Sequence, residues 1–384
     1  MEIFHKILDM RSRPDMLLTD RQTDRQTDRQ TRNVYLDIVK FFTIFLVVWG
    51  HVVQQTSDLS CWPVQEDGLM RLIYTMHMPL FMGLSGYFFY HSLAKRSAPA
   101  TYLKKELGNR LLGLFIPMIS FGLLKIACDW GWGNTIPDSM VPFATCWFYS
   151  AKGIWFLGDV AVNTVIVLTA CCFCNGCFKH DLKFLIAGVI FSMIPYVTYR
   201  SPHMYFFFAL GFCLARYMET GFREYMRYWK VAFVLFVAVY VAFSNMPWPP
   251  EDFSYDWRHQ SLFQLILNDG LKLVLGILGS YLFLVLLYRG MVFLRRTQIW
   301  DLAITEGRHT MNIYLIQIVV IEKILGPAYR EAVAYHACNW ITQYGLLFKT
   351  VSTISLAVVI LGGIIIINRL CIANHFVAKI LFYK

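Results

Sequence analysis

The feature that most constrains this chain is its succession of apolar runs, each about 20 residues long, between residues 35 and 368. Runs of that length enter a bilayer, where no water can satisfy backbone N–H and C=O groups, so each must close its own hydrogen bonds. They point to a helical membrane protein. Composition agrees, because 57% of the 384 residues are hydrophobic and only 16% are charged, which excludes a soluble globular domain. Ten runs are distinguishable, at about 35–55, 69–92, 108–128, 153–174, 182–198, 203–218, 230–245, 271–288, 309–326 and 347–368. The expected fold is therefore all-α, a polytopic membrane bundle of about ten transmembrane helices.

The segments between the runs set an orientation. Of 35 Lys and Arg, 25 fall in segments on the side of the N-terminus and 7 on the opposite side, with Lys40, Lys125 and Lys272 in or beside runs. By the positive-inside rule this split places both termini in the cytoplasm. Scattered in this way, the formal charge of +10 makes no nucleic-acid face. The first 33 residues lack the apolar core of a signal peptide. Thr19 to Thr31 repeats TDRQ without one apolar side chain, so residues 1–33 are expected to be a disordered cytoplasmic tail and 34–384 the membrane domain.

The first run, Tyr35-Leu-Asp-Ile-Val-Lys-Phe-Phe-Thr-Ile-Phe-Leu-Val-Val-Trp-Gly-His51, carries three ionisable groups. At 100° per residue, Lys40 and His51 differ by only about 20° around a helix, and Asp37 lies within about 40° of His51. Along the axis, Lys40 and His51 stand roughly 16 Å apart, half of a ~30 Å hydrocarbon core. One stripe then joins a cation near one membrane face to an imidazole toward the other. Ionisable groups in spans cost roughly 3 kcal/mol and are functional candidates by default. Against this, Lys40 can snorkel to the surface, Asp37 at i−3 can pair with it, and His51 can cap a wet helix end.

Lys40, ten residues and His51 resemble the Arg/Lys-x10-His signature of the acyltransferase-3 family of membrane acyltransferases. Further similar segments follow in the family's order: Met76-His-Met-Pro-Leu-Phe-Met-Gly-Leu-Ser-Gly-Tyr-Phe88, Arg110-Leu-Leu-Gly-Leu-Phe-Ile-Pro117, Trp155-Phe-Leu157 and Gly307-Arg-His-Thr-Met-Asn-Ile-Tyr-Leu-Ile-Gln317. The resemblance covers the chain from about residue 34 onward. It implies transfer of an acyl group, most simply acetyl from acetyl-CoA as co-substrate, to a sugar hydroxyl of a surface polysaccharide or its lipid-linked precursor. It also implies a multi-pass protein of the bacterial inner membrane, with the acyl-CoA donor, the glycan acceptor, membrane lipid and glycan-assembly proteins as partners. The chain departs from some relatives in lacking a soluble esterase-like domain after the last run.

The residues fit that chemistry. A CoA donor needs cations for its phosphates, and Lys40 and Arg110 stand at span entrances inside matching segments. A hydroxyl attacking a thioester must lose its proton, which suits His51 as general base or as transient acyl carrier. Asp37 and His77 complete the catalytic candidates. Pro79 beside His77 removes a backbone donor and bends the helix, and Ser85-Gly86 permits close helix approach. Trp155, Asp159 and Gln317 are substrate-side candidates, Asp159 as a His partner. Gln317 occupies a position where many family members have His; an amide there orients but does not titrate.

Trp130, Trp132, Trp147, Trp248 and Trp257, with nearby carboxylates, occupy the expected outer loops 129–151 and 244–260, where they suit either sugar stacking or an interfacial belt. Cys171, Cys172, Cys174 and Cys177 with His180 crowd into one short segment with no second pair at zinc-finger spacing, so no metal is expected. A transporter or flippase for a glycan-related solute shares the many spans and broken helices. No internal repeat relates two halves of the chain, which speaks against it.

Overall fold

The structure, a computed structural model, describes residues 19–20, 32–57, 68–94, 106–133, 140–173, 202–243, 262–332 and 334–383. A two-residue strand pair, β1 (Thr19–Asp20) and β2 (Arg32–Asn33), brackets the TDRQ repeat, most of which lies outside the described residues. Everything else with regular structure is helical: α1 (Val34–Ser57), α2 (Gly68–Ala94), α3 (Leu107–Gly131), α4 (Met140–Lys152), α5 (Trp155–Phe173), α6 (Pro202–Tyr225), α7 (Trp229–Phe243), α8 (Leu262–Leu294), α9 (Gln298–Glu306) and α10 (Thr310–Gln317). After α10 the chain winds as a π-helix over Ile318–Leu325, then continues as α11 (Gly326–Ala332), α12 (Ala334–Ala373) and α13 (His375–Phe382). Gly345 breaks α12 at φ 70°, a value open to glycine and strained for other residues.

Nine of the ten expected runs fall on these helices, and 182–198 lies outside the described residues. Among the described residues, six segments are long and apolar enough to cross a membrane: Val34–Thr56, Leu107–Gly131, Trp155–Cys172, Gly270–Leu294, Thr310–Tyr329 and Gly345–Ala373. The run at 230–245 corresponds to a 15-residue helix, short for a full crossing. The expected outer loop 129–151 differs more: its second half is α4, with Pro142 in the first turn, where a missing N–H is tolerated. Val231, Val234, Leu286, Val359 and Ile366 point out of the bundle, the apolar exterior an integral membrane protein needs.

Two apolar cores hold the bundle. One joins α1 to α10 and α12 through residues such as Ile38, Ile44, Ile313 and Ile364. The other joins α2 to α5 and α6 around Met82, Phe89, Val167 and Phe208. α1 belongs to both, since Leu46 and Val53 reach the second. Polar ties fix the helices that face it. Arg369 donates through Nε and Nη2 to the buried Glu306 Oε1 at 2.9 and 2.7 Å, and Asn312 Nδ2 donates to Asn368 Oδ1 at 3.0 Å. The turn at Gly307 lies against the start of α1 so closely that a Cβ there would come 2.1 Å from the Asp37 carbonyl oxygen. These contacts settle where α10 sits beside α1.

Candidate active site

Asp37 lies in the first turn of α1, where a carboxylate complements the unpaired N–H groups and the helix dipole. Its Oδ1 holds Lys40 Nζ at 2.7 Å, so the i,i+3 pairing expected of these residues forms. The ammonium also stands 5.0 Å from the centroid of the Phe88 ring. From Lys40 a cavity of about 150 Å³ runs along the bundle past Ser85 on α2 and Phe156 on α5 to Val47, Met78 and Tyr314. Lys40 is the one charged residue among those lining it. Arg110 is placed otherwise, its guanidinium over the Phe89 ring at 4.8 Å and outside the cavity wall.

One turn beyond Val47 stands His51. Its Nδ1 lies 3.7 Å from Glu322 Oε1, and the other oxygen of that carboxylate accepts from Lys125 Nζ at 3.2 Å. Imidazole, carboxylate and ammonium thus form a row across α1, the π segment and α3. Gly153 makes room for it, since a Cβ there would come 2.8 Å from Lys125 Nζ. Next door, Lys323 Nζ holds both oxygens of Asp129 at 2.7 Å, and Trp132 Nε1 donates to the Lys323 carbonyl at 2.6 Å. The wide turn of a π-helix narrows the angle between successive side chains, which suits Glu322 and Lys323 both reaching α3. Such turns recur at functional sites.

His77 is buried on α2, its Nδ1 2.7 Å from the Ile73 carbonyl. A carbonyl only accepts, so Nδ1 carries the proton and Nε2 is left as an acceptor. His77 is within electrostatic reach of His51. Met78 and Pro79 follow, and Gly276 of α8 packs against the Pro79 ring. Gln317 is fully buried at the end of α10, and neither polar atom of its amide has a hydrogen-bond partner among the described residues. It follows Thr310 and Tyr314, which line the cavity, as His51 follows Lys40 and Val47.

The remaining candidates, Trp155 and Asp159, lie on α5. Trp155 packs edge-on against Phe156 at 6.4 Å, and Asp159 is buried on α5, next to the cavity residue Val160. The carboxylate set against His51 is Glu322, which the sequence reading did not single out. Three charges escaped the sequence reading as site residues: the half-buried Glu322, the buried Lys125, and Lys349, the last counted among outer-side cations and here wholly enclosed in α12. The available signal was the same as for Lys40, an ionisable residue within an apolar run. Of the cysteine cluster, Cys174, Cys177 and His180 lie outside the described residues, and no group of metal-ligating side chains occurs among those described.

The row makes a prediction about stability. Glu322→Gln leaves the nearly buried Lys125 without its carboxylate, and a buried group that loses its partner costs about 1–3 kcal/mol. The double variant Glu322→Gln/Lys125→Met removes both charges and is expected to recover most of the loss. Thermal unfolding in detergent measures both. A single variant as stable as the wild type would show that the row contributes nothing.

The family profile described as an acyltransferase domain matches residues 33–367. Among curated proteins, the chain is 27% identical over 223 residues to nodulation protein NolL of Sinorhizobium fredii, covering 54% of this chain and 57% of that protein. It is 23% identical over 234 residues to nodulation protein NolL of Mesorhizobium japonicum, covering 59% of each. The chain thus spans under two thirds of the length of these relatives. No solved structure matches it. With α1, the cavity and the His51 row all inside the matched residues, the chain belongs to the acyltransferase-3 family of membrane proteins.

Proposed function

We propose that this protein transfers an acetyl group from acetyl-CoA to a sugar hydroxyl of a surface polysaccharide or its lipid-linked precursor. The supporting observation is the path on α1, where Lys40 stands at the mouth of a cavity and His51 just past its far end, backed by Glu322 and Lys125. Lys40 receives the anionic donor, and the cavity admits its thioester arm. At the far end the acceptor hydroxyl oxygen attacks the thioester carbonyl carbon. Its proton goes to His51, the C–S bond breaks, and the proton passes to the departing thiolate. With Nδ1 turned to Glu322, the carboxylate stabilises the imidazolium that forms, and Nε2 is the basic nitrogen. The Gln317 amide, buried without partners, is suited to donate to the carbonyl oxygen as it gains charge. Ten spans with both termini cytoplasmic, in a bacterial inner membrane, complete the reading. They place Lys40 on the donor's side.

The test is acetyl transfer by the purified protein from radiolabelled acetyl-CoA to a glycan acceptor, read as alkali-labile label. Lys40→Arg keeps the charge and is expected to retain much of the rate. Lys40→Ala raises the donor KM about 10- to 100-fold, the loss of a hydrogen bond to a charged group, with a smaller change in kcat. No label with any glycan, alongside solute export that survives His51→Ala, would replace this reading with a transporter.

A further inference from the structure

A second cavity, of about 260 Å³, lies beyond His51, between α1, the π segment, α11 and α12. Its walls include Val52 and Gln55 from α1, Ile321 and Leu325 from the π segment, and Leu356 and Ile360 from α12. His51 and Gln317 therefore stand between two cavities. On α1, Lys40 and Val47 line the first and Val52 and Gln55 the second; on the facing helix, Thr310 and Tyr314 line the first and Ile321 and Leu325 the second. The transfer point has one chamber on each side.

The second chamber is aliphatic apart from Gln55, Thr56 and Tyr329. Thr56 spends its hydroxyl on the Val52 and Val53 carbonyls. Gln55 Oε1 is enclosed with no hydrogen-bond partner among the described residues, against Gly326, where a Cβ would come 2.4 Å from it. Gln55 is four residues past His51, hence on the same face one turn on. On the outer wall Leu325 and Leu356 are 38% and 36% exposed, so the chamber reaches the apolar exterior of the bundle. Apolar cavities of this size stay dry and accept hydrocarbon.

Building on the acetyl-transfer reading, we propose that this chamber binds the apolar chain of a lipid-linked acceptor entering sideways from the membrane, with Gln55 Oε1 accepting a hydrogen bond from a hydroxyl of the sugar at the head of the chain. Held there, the chain sets the sugar hydroxyl at His51 and the acceptor's affinity comes largely from buried methylenes, each worth about 0.8 kcal/mol. The chemistry recognised is an unbranched or isoprenoid chain bearing a glycosyl headgroup.

The test uses full-length protein in nanodiscs and two acceptors with the same sugar, a methyl and an octyl glycoside. Octyl is expected to lower the acceptor KM at least tenfold. Ala328→Phe, which fills the chamber, should abolish that advantage while leaving the methyl glycoside rate and the acetyl-CoA KM unchanged. The same KM ratio in wild type and variant would overturn the proposal, as would no dependence on chain length. A photoreactive diazirine-octyl glycoside on the wild-type protein gives a readout free of activity and of the variant's folding. Label is expected in the peptide containing Ile321 to Tyr329. Label elsewhere, or label that ordinary phospholipid displaces as well as octyl glycoside does, would sink the idea. Absence of acetyl transfer to either glycoside, with the chamber labelled, would contradict the enzymatic reading and leave the binding site standing.

Discussion

His51→Ala is expected to lower kcat by about 10²- to 10⁴-fold, the contribution of one positioned general base, while the donor KM moves little. The asymmetry follows from position. In the proposed mechanism Lys40, lining the first cavity, meets the donor in ground and transition states alike, whereas His51 acts as the hydroxyl proton moves. The wild-type rate should also fall as pH drops through the imidazole range, ordinarily about 6.5, because a protonated ring accepts no proton. Glu322→Gln shifts that limb of the profile, since the carboxylate lies 3.7 Å from the ring, and a ring with no role in the reaction would leave the limb unmoved. An inserted His51→Ala protein that acetylates at the wild-type kcat would falsify the assignment.

The second large effect lies where α6 crosses α2. Gly211→Ala should cost the fold several kcal/mol, because its Cβ would come 1.9 Å from the Gly83 carbonyl oxygen. From the other side, a Cβ on Gly86 would come 1.9 Å from the Phe208 carbonyl oxygen. The contact is backbone on backbone, which small residues allow in membrane helix pairs and which no rotamer change relieves. Overpacking ordinarily costs about 1–3 kcal/mol, and a clash with main chain belongs at or above the top of that range. Separating α2 from α6 would also displace His77, Met78 and Ser85. Gly362→Ala is the control: nothing lies within 4 Å of its Cβ, so alanine should be neutral or favourable by up to about 1 kcal/mol. Thermal unfolding in detergent, with size-exclusion profiles, measures both. Equal melting of the Gly211→Ala and Gly362→Ala proteins would contradict the packing argument.

What the sequence disclosed and what it withheld divide along a physical line. Local periodicity carried α1: the spacing of Asp37, Lys40 and His51 specified one stripe, and the Asp37–Lys40 pair lies on it. Gly86, expected to permit close approach, meets α6 backbone. Nothing local says which helices adjoin, however, so the row of His51, Glu322 and Lys125, drawn from three distant segments, could not be read from spacing. Asp159 was singled out as a His partner because it followed a recognisable segment, while Glu322 sits in an apolar stretch of no special pattern. The π winding that aims Glu322 has no sequence signature of its own. Around Trp147, the aromatics and prolines of 129–151 suggested a loop, and only packing on α3, where Trp147 Nε1 donates to the Ile119 carbonyl, accounts for helix there.

The central claim is a route through the bundle, donor from the Lys40 side and transfer at His51. Sealed vesicles of uniform orientation, sorted by a tag fused after Lys384, test it directly with membrane-impermeant acetyl-CoA. Acetyl-CoA confined to the face that carries the C-terminus should support acetylation of the glycan, with Lys40→Ala raising its KM. Acetylation sustained only by acetyl-CoA on the opposite face would contradict the orientation of the path and the assignment of Lys40 to the donor.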